Sequence, residues 1–565
     1  MSATDCVTMG RLPIVIGASG HHDLFPEDLA VYRERLVHFF ANLRQRYPST
    51  PIQVMSSLAV GADRLVADVA LQLGLELIVP LPLPEAEYLK DFPDSVDEYR
   101  RLRNAAPDRN VFVLPFAEGN NDMNIGVPGQ HRDRQYAQVG AYIATHCHIL
   151  IALWDGMYNR YVGGTSHVVE FKLQGVALPF LPDQKILDAV DSGPVFHVKT
   201  RRRKKALHEK SDAITSGQTN WLYPQDRSKA DYDHIYGYIE TFNADPARRH
   251  CHDVRHSTEN LIPGTVALEP AEQKILDIYG FADTMAIHYR RVAHRILIAI
   301  LLLAAGMALA FEAYAHLFVT RYVLALYPAL FVTISGLYFW HSNNDAHGKY
   351  LDYRALAEGL RVQLLWRLAG VSLDVSSNYL RKQNDELQWI REGLRAVNSI
   401  PSTRTVPNVS TLKQWVDDQR NYFTHNAHKQ NERLEKLERY SGWLYGAGLL
   451  ASVAVIAFWD FLEHSGEFHH VLIVFMGFTP IVAALWVKYA EKTGLQAQCK
   501  QYARFATIFN RARKHLDALE QQVPGDQERH QRITHLIREL GKEALIENGD
   551  WVLLRRERPI EIPKG

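Results

Sequence analysis

Four stretches of mostly apolar residues interrupt an otherwise mixed chain: 296–318, 322–340, 443–462 and 471–487. A helix needs about 20 such residues to cross ~30 Å of hydrocarbon, so each qualifies as a membrane span. A buried core helix is the alternative for any one of them. Their arrangement as two close pairs argues for two membrane hairpins instead. Each pair is followed by a helical, arginine-bearing segment, 350–361 after the first and 498–506 after the second. That layout predicts an internal repeat. Small residues cluster in the first span (Ala304, Ala305, Gly306, Ala308) and in the third (Gly446, Ala447, Gly448). Such clusters let membrane helices approach closely.

Before the first span the pattern is different. Short apolar runs at 12–16, 52–55, 75–81, 111–114, 149–153 and 195–199 alternate with amphipathic stretches such as 26–46 and 132–145. Strands alternating with helices in this way predict a parallel, doubly wound α/β sheet. The fold class expected is therefore a doubly wound α/β head followed by an all-α membrane region with four transmembrane helices in two hairpins.

Charge sets the expected orientation. Arg290, Arg291 and Arg295 precede the first span, and Lys488 and Lys492 follow the fourth. The short loop 463–470 has no Lys or Arg, and the loop between the first two spans has only Arg321. By the positive-inside rule the head, the connector and the tail are expected in the cytoplasm. No span carries a charge series of the kind found in voltage sensors or proton relays, which disfavours a secondary transporter or a pump. Lys+Arg and Asp+Glu balance at 63 each, so nothing electrostatic argues for nucleic-acid binding. The four cysteines have no CxxC spacing and fit a reducing compartment. The first residues lack the pattern of a cleavable signal peptide.

In doubly wound sheets ligands sit outside the carboxyl ends of the strands. Three loops expected there are rich in glycine and small polar residues. The first holds Gly17, Ser19, Gly20 and His21. The second holds Gly61, Asp63 and Arg64. The third runs from Asp155 to Gly163, Gly164 and Thr165. Backbone N–H groups at such turns can cradle phosphate, helped by the helix dipole. Asp63 suits either a ribose hydroxyl or a helix cap. Glycine also serves tight turns with no ligand.

The segments IGASGHHDL (16–24), SSLAVGADRLVADVAL (56–71) and ALWDGMYNRYVGGTSHVVEF (152–171) resemble SLOG domains, a Rossmann-like family that includes lysine-decarboxylase-like proteins. The resemblance covers about the first 200 residues. It implies a nucleotide-derived ligand, either cleaved at its glycosidic bond or sensed as a signal. Cleaving members carry a Glu three residues after the Gly-Thr pair. Here the nearest acid is Glu170, the one weak catalytic candidate, so sensing is favoured. The membrane half is similar to SLATT modules, two-span effectors of bacterial conflict systems. Tyr353-Arg354, Ala357-Glu358 and Leu360-Arg361 carry that similarity, with 547–551 and Arg558-Pro559 in the tail. It implies a homo-oligomeric pore or a membrane-disrupting effector in the bacterial inner membrane, in an antiphage setting.

The expected division is a head at 1–200, a polar linker or insertion at 201–270, and the first hairpin with its helix at 271–370. A helical connector follows at 371–440, the second hairpin with its helix at 441–520, and a tail at 521–565. No metal site or resident cofactor is expected; the cluster His250-Cys251-His252-Asp253 with His256 lies in polar surroundings. The run 201–205 reads first as a solvated linker, then as a contact to anionic lipid, and last as a nucleic-acid patch. Two other functions stay open: a membrane-anchored nucleotide or NAD hydrolase, and a membrane-anchored scaffold with an inactive head.

Overall fold

The computed structural model describes residues 10–159, 161–176, 179–180, 191–202, 216–246, 251–379, 387–463, 466–522 and 526–556, without the side chains of 251–253, 463 and 522. The head is a seven-stranded sheet with strands β1 (Ile14–Gly20), β2 (Ile52–Met55), β3 (Glu76–Leu81), β4 (Val111–Val113), β5 (Ile149–Trp154), β6 (Val195–Lys199) and β7 (Thr219–Leu222). Their order is β4-β3-β2-β1-β5-β6-β7, parallel except for the antiparallel β6–β7 pair. Strands β1, β2, β3 and β5 are almost wholly buried, as expected of strands covered on both faces, whereas β4 at the sheet edge is partly exposed. The head helices used below are α1 (Leu29–Arg46), α2 (Ala62–Gln72), α3 (Val96–Ala105), α4 (Gln130–His146), α5 (Thr165–Gln174) and α6 (Lys229–Ala244). Within the stretch read as a linker or insertion, β7 and α6 join the sheet and its cover.

The rest is helical: α7 (Cys251–Leu261), α8 (Pro270–His316), α9 (Arg321–Asn344), α10 (Ala346–Leu368), α11 (Gln388–Val397), α12 (Val409–Ala457), α13 (Glu467–Thr493), α14 (Leu495–Gln522) and α15 (Asp526–Arg556). Among the described residues, four helical stretches are long and apolar enough to cross a membrane: α8, α9 continued by α10, α12 and α13. The first and third spans are the carboxyl-terminal parts of continuous helices of 47 and 49 residues. At 1.5 Å per residue each is a rod of about 70 Å.

The two hairpins share a plan. A long helix rises, a shorter one returns, and a single left-handed residue separates it from a further helix. That residue is Asp345 (φ 43°) between α9 and α10, and Gly494 (φ 62°) between α13 and α14. Asp345 holds the uncommon conformation while its carboxylate caps α10, accepting the Gly348 amide at 3.1 Å. Helix α8 also packs on α13, where the point a Gly477 Cβ would occupy lies 2.7 Å from the Glu312 carboxylate.

Head and bundle share one core, which runs from Ile14 and Tyr32 through Tyr279, Tyr353 and Trp389 to Ile537. The amino ends of the strands rest on α11. Gly393 touches Leu12, just before β1. Asp191, just before β6, pairs with Arg391 at 2.8 Å and Arg395 at 2.6 Å. Asp245, after α6, accepts the Tyr289 and Tyr353 hydroxyls at 2.9 Å and Lys349 at 3.3 Å. These contacts leave the carboxyl edge of the sheet on the side away from α11.

Candidate functional site at the carboxyl edge of the sheet

The chain leaves β1 toward β2 on one side and returns through β5 on the other. The strand order therefore reverses between β1 and β5, and crevices at such reversals are where open α/β sheets bind ligands. Gly20 pairs with Leu153, which places His21 beside Asp155. The Asp155 amide donates to His21 Nε2 at 3.1 Å, and that nitrogen lies 3.4 Å from Asp155 Oδ1. An Nε2 that accepts an amide proton is unprotonated, so this bond assigns the ring proton to Nδ1. Both side chains are buried. Asp155 Oδ1 also accepts the Met157 amide at 3.0 Å, fixing the start of the loop. His197 of β6 stands next to this pair, with Nε2 2.9 Å from the Trp154 carbonyl and Cε1 near Gly156.

The first glycine segment was expected as a loop after a shorter strand. It belongs to β1 itself. Gly17 is buried, and a Cβ there would lie 2.8 Å from Cys147 Sγ and from Ile143, so the position seats α4 on the sheet and offers no approach to a ligand. Gly20 does the same for α2: a Cβ would overlap Ala62 and lie 2.7 Å from the Leu153 carbonyl. Ser19, between them, is partly exposed.

Gly61 (φ 87°) brings the second loop against the first, its Cβ position lying 2.5 Å from the His21 carbonyl, and the Ala62 amide donates to that carbonyl at 3.1 Å. Asp63 is buried at the next turn. Its carboxylate accepts the Ser57 hydroxyl at 2.9 Å and the Gly20 amide, and burial pushes its pKa up to about 7. Arg64 is buried too. Its Nε donates to the Leu58 carbonyl at 3.0 Å, its Nη1 to Ser95 and Glu98, and its guanidinium lies 4.5 Å over Phe92. Gly61, not Asp63, is the N-cap of α2; the Asp63 carboxylate is engaged by Ser57 and Gly20, and Arg64 is likewise bound up inside the head. The bond to Arg64 also holds Leu58 at φ 59°, a conformation that costs a non-glycine residue on the order of 1–3 kcal/mol.

The third loop is built differently. Gly163 (φ 80°) sits on the first turn of α4, and its amide meets His167 Nδ1 at 3.2 Å. Gly164 is the N-cap of α5 and donates to the Tyr161 carbonyl at 3.3 Å. Ser166 is tied by its hydroxyl to Asn159 Oδ1 at 2.9 Å. The amides of Thr165 and Ser166 start the helix without an intrahelical acceptor. Glu170 is exposed one turn further along. Met157, Tyr158, Tyr161 and Val162 are exposed beside them. An apolar, aromatic rim next to an anion-accepting helix start has the chemistry to hold a base and a phosphate.

Arg201 and Arg202, the start of the basic run, are paired with the β1–α1 segment. Arg201 bonds Asp28 through two nitrogens at 2.9 and 3.0 Å, and Arg202 lies 3.3 Å from Asp23. Residues 203–205, His250, the side chains of Cys251–Asp253, and Arg558-Pro559 lie outside the described residues. His197 carries no motif of its own, and Tyr158 and Asn159 lie within the segment 152–171 without standing out there; all three join the edge through pairing and packing.

Compared with known proteins, the chain matches no family model, no curated sequence and no solved structure.

Proposed function

We propose that this chain is a ligand-gated membrane effector. A nucleotide-derived signal, of cyclic-nucleotide or ADP-ribose type, binds the SLOG-like head at the β1/β5 reversal, between the Thr165–Ser166 amides and the aromatic rim. The observation that carries the reading is α8. Its first turns lie in the core shared with the head, and the same unbroken helix becomes the first span. A helix of this kind transmits a shift or tilt at one end to the other. A ligand drives such a shift only by as much as it prefers one state of the head. The hairpins then open or disrupt the bilayer, as SLATT-like modules in a homo-oligomer. The arginine-bearing ends face the cytoplasm of a bacterial cell, with the inner membrane as target and phage defence as setting.

Dye leakage from liposomes holding the full chain tests this. Leakage is expected on addition of one of a panel of cyclic nucleotides or ADP-ribose derivatives. A ligand that binds the head with measurable affinity and releases no dye refutes the effector reading.

A further inference from the structure

A large cavity lies away from the sheet. It lies where the bundle meets the spans, between α8, α10, α12, α14 and α15, and holds about 850 Å³. That is within the range of small-molecule sites, roughly 300–1,000 Å³. Eight Lys and Arg side chains line it, against three carboxylates, Asp283, Glu358 and Glu547. The three do not balance the eight. Asp283 and Glu358 are already engaged by Arg354 at 3.0 and 3.6 Å, and Glu358 also by Arg361. Glu547 is held up at about 8 by burial and by the charge of Glu358, so it is mostly neutral at pH 7.

Of the other six cations, Arg555 donates to the Thr493 carbonyl at 2.8 Å and lies over the Trp551 ring, and Lys492 has a partner of its own, which leaves four. Arg290 and Arg291 sit on α8 a turn and a half before the first span, and Lys429 and Arg433 share one face of α12 before the third. Among the described residues none of the four has a carboxylate within ion-pair distance. They come from the rising helices of both hairpins and converge on one space. Tyr422, Tyr489, Tyr502 and Trp551 add aromatic surface to its wall. Unpaired guanidinium groups over a roomy, aromatic-walled cavity match a phosphate ester, which guanidinium binds through two parallel bonds.

We propose that this cavity is a second anion site, which takes a phosphate-bearing ligand through Arg290, Arg291, Lys429 and Arg433 and clamps the rising helices of the two hairpins together. The phosphate has two available sources, an acidic phospholipid headgroup from the adjoining leaflet or a soluble nucleotide. The site is independent of whatever the head binds.

The test uses the full chain in nanodiscs. One arm titrates ATP against protein in phosphatidylcholine discs. The other counts phosphatidylglycerol retained per chain, by native mass spectrometry, from mixed discs. Each arm compares the wild type with an Arg290→Gln/Arg433→Gln double variant and an Arg290→Lys/Arg433→Lys double variant. Both positions are exposed, so the fold survives substitution. One arm is expected to show binding that falls about tenfold or more in the Gln variant, the scale of a lost charge-assisted contact, and that the Lys variant largely keeps. The arm that responds names the source. Binding of neither probe overturns the proposal. So does binding that the Gln variant leaves unchanged, which is how occupancy of the head alone would register.

Discussion

Replacing Gly163 by alanine separates the two adjacent glycines of the third loop. Gly163 has φ 80°, and its Cβ would stand 2.8 Å from the Asp133 carbonyl oxygen and 3.0 Å from the Ala137 amide nitrogen. Both neighbours are backbone of α4 and cannot swing away as a side chain tip would. The left-handed conformation costs an alanine about 1–2 kcal/mol. Overpacking against fixed atoms adds about 1–3 kcal/mol. Gly164 has an ordinary φ of −76°, and its Cβ would meet nothing nearer than the Tyr161 carbonyl at 3.5 Å. Gly164→Ala should therefore change stability by less than about 0.5 kcal/mol. At about 1 °C per kcal/mol for a cooperative unit of 565 residues, Gly163→Ala should lower the unfolding midpoint by at least about 2 °C and Gly164→Ala by almost nothing. Thermal unfolding of the full chain in detergent reads both. Hydrogen exchange should also show faster exchange in the first turns of α5 for Gly163→Ala alone. Equal midpoints for the two variants would refute the placement of this loop on α4.

Stability should also depend on pH through Asp63. Its folded pKa is raised from 3.8 to about 7, so the folded chain binds this proton more tightly than the unfolded one. Its contribution is full below about pH 4 and is lost as pH rises toward 7, roughly 4 kcal/mol in all. Asp63→Asn should flatten that part of a denaturation-versus-pH curve, and an unchanged slope counts against the buried placement. Asp245→Ala leaves the Tyr289 and Tyr353 hydroxyls and Lys349 without their shared acceptor, a loss of about 3–5 kcal/mol that urea or thermal denaturation would detect. A variant as stable as wild type would show that head and bundle are not joined there. In the second hairpin, a Cβ at Gly448 would lie 2.7 Å from Thr479 Oγ1 and 3.3 Å from the Pro480 ring, while one at Gly446 would meet nothing within 4 Å. Gly448→Val should lower the detergent unfolding midpoint and Gly446→Val should not; equal effects would place the α12–α13 contact elsewhere.

Hydropathy alone determined the four apolar helices, their pairing into hairpins and the alternation of strands and helices in the head. These are local properties. A window of about 20 apolar residues or a run of β-branched ones declares itself without reference to any other part of the chain. Which glycines touch something, and what, was decided only in three dimensions. Gly17 and Gly20 looked like a phosphate loop, yet they lie inside β1, because the space their missing Cβ atoms leave is filled by α4 and α2. Asp63 and Arg64 looked available for a ligand, yet burial and partners from Gly20, Ser57, Leu58, Ser95 and Glu98 engage them. The meeting of His21 with Asp155 depended on β1 pairing with β5 across more than a hundred residues. The same holds for the cavity beneath the spans. Arg290, Arg291, Lys429 and Arg433 belong to helices over a hundred residues apart in sequence, and only the packing of α8 and α12 around one space gives their charges a common object.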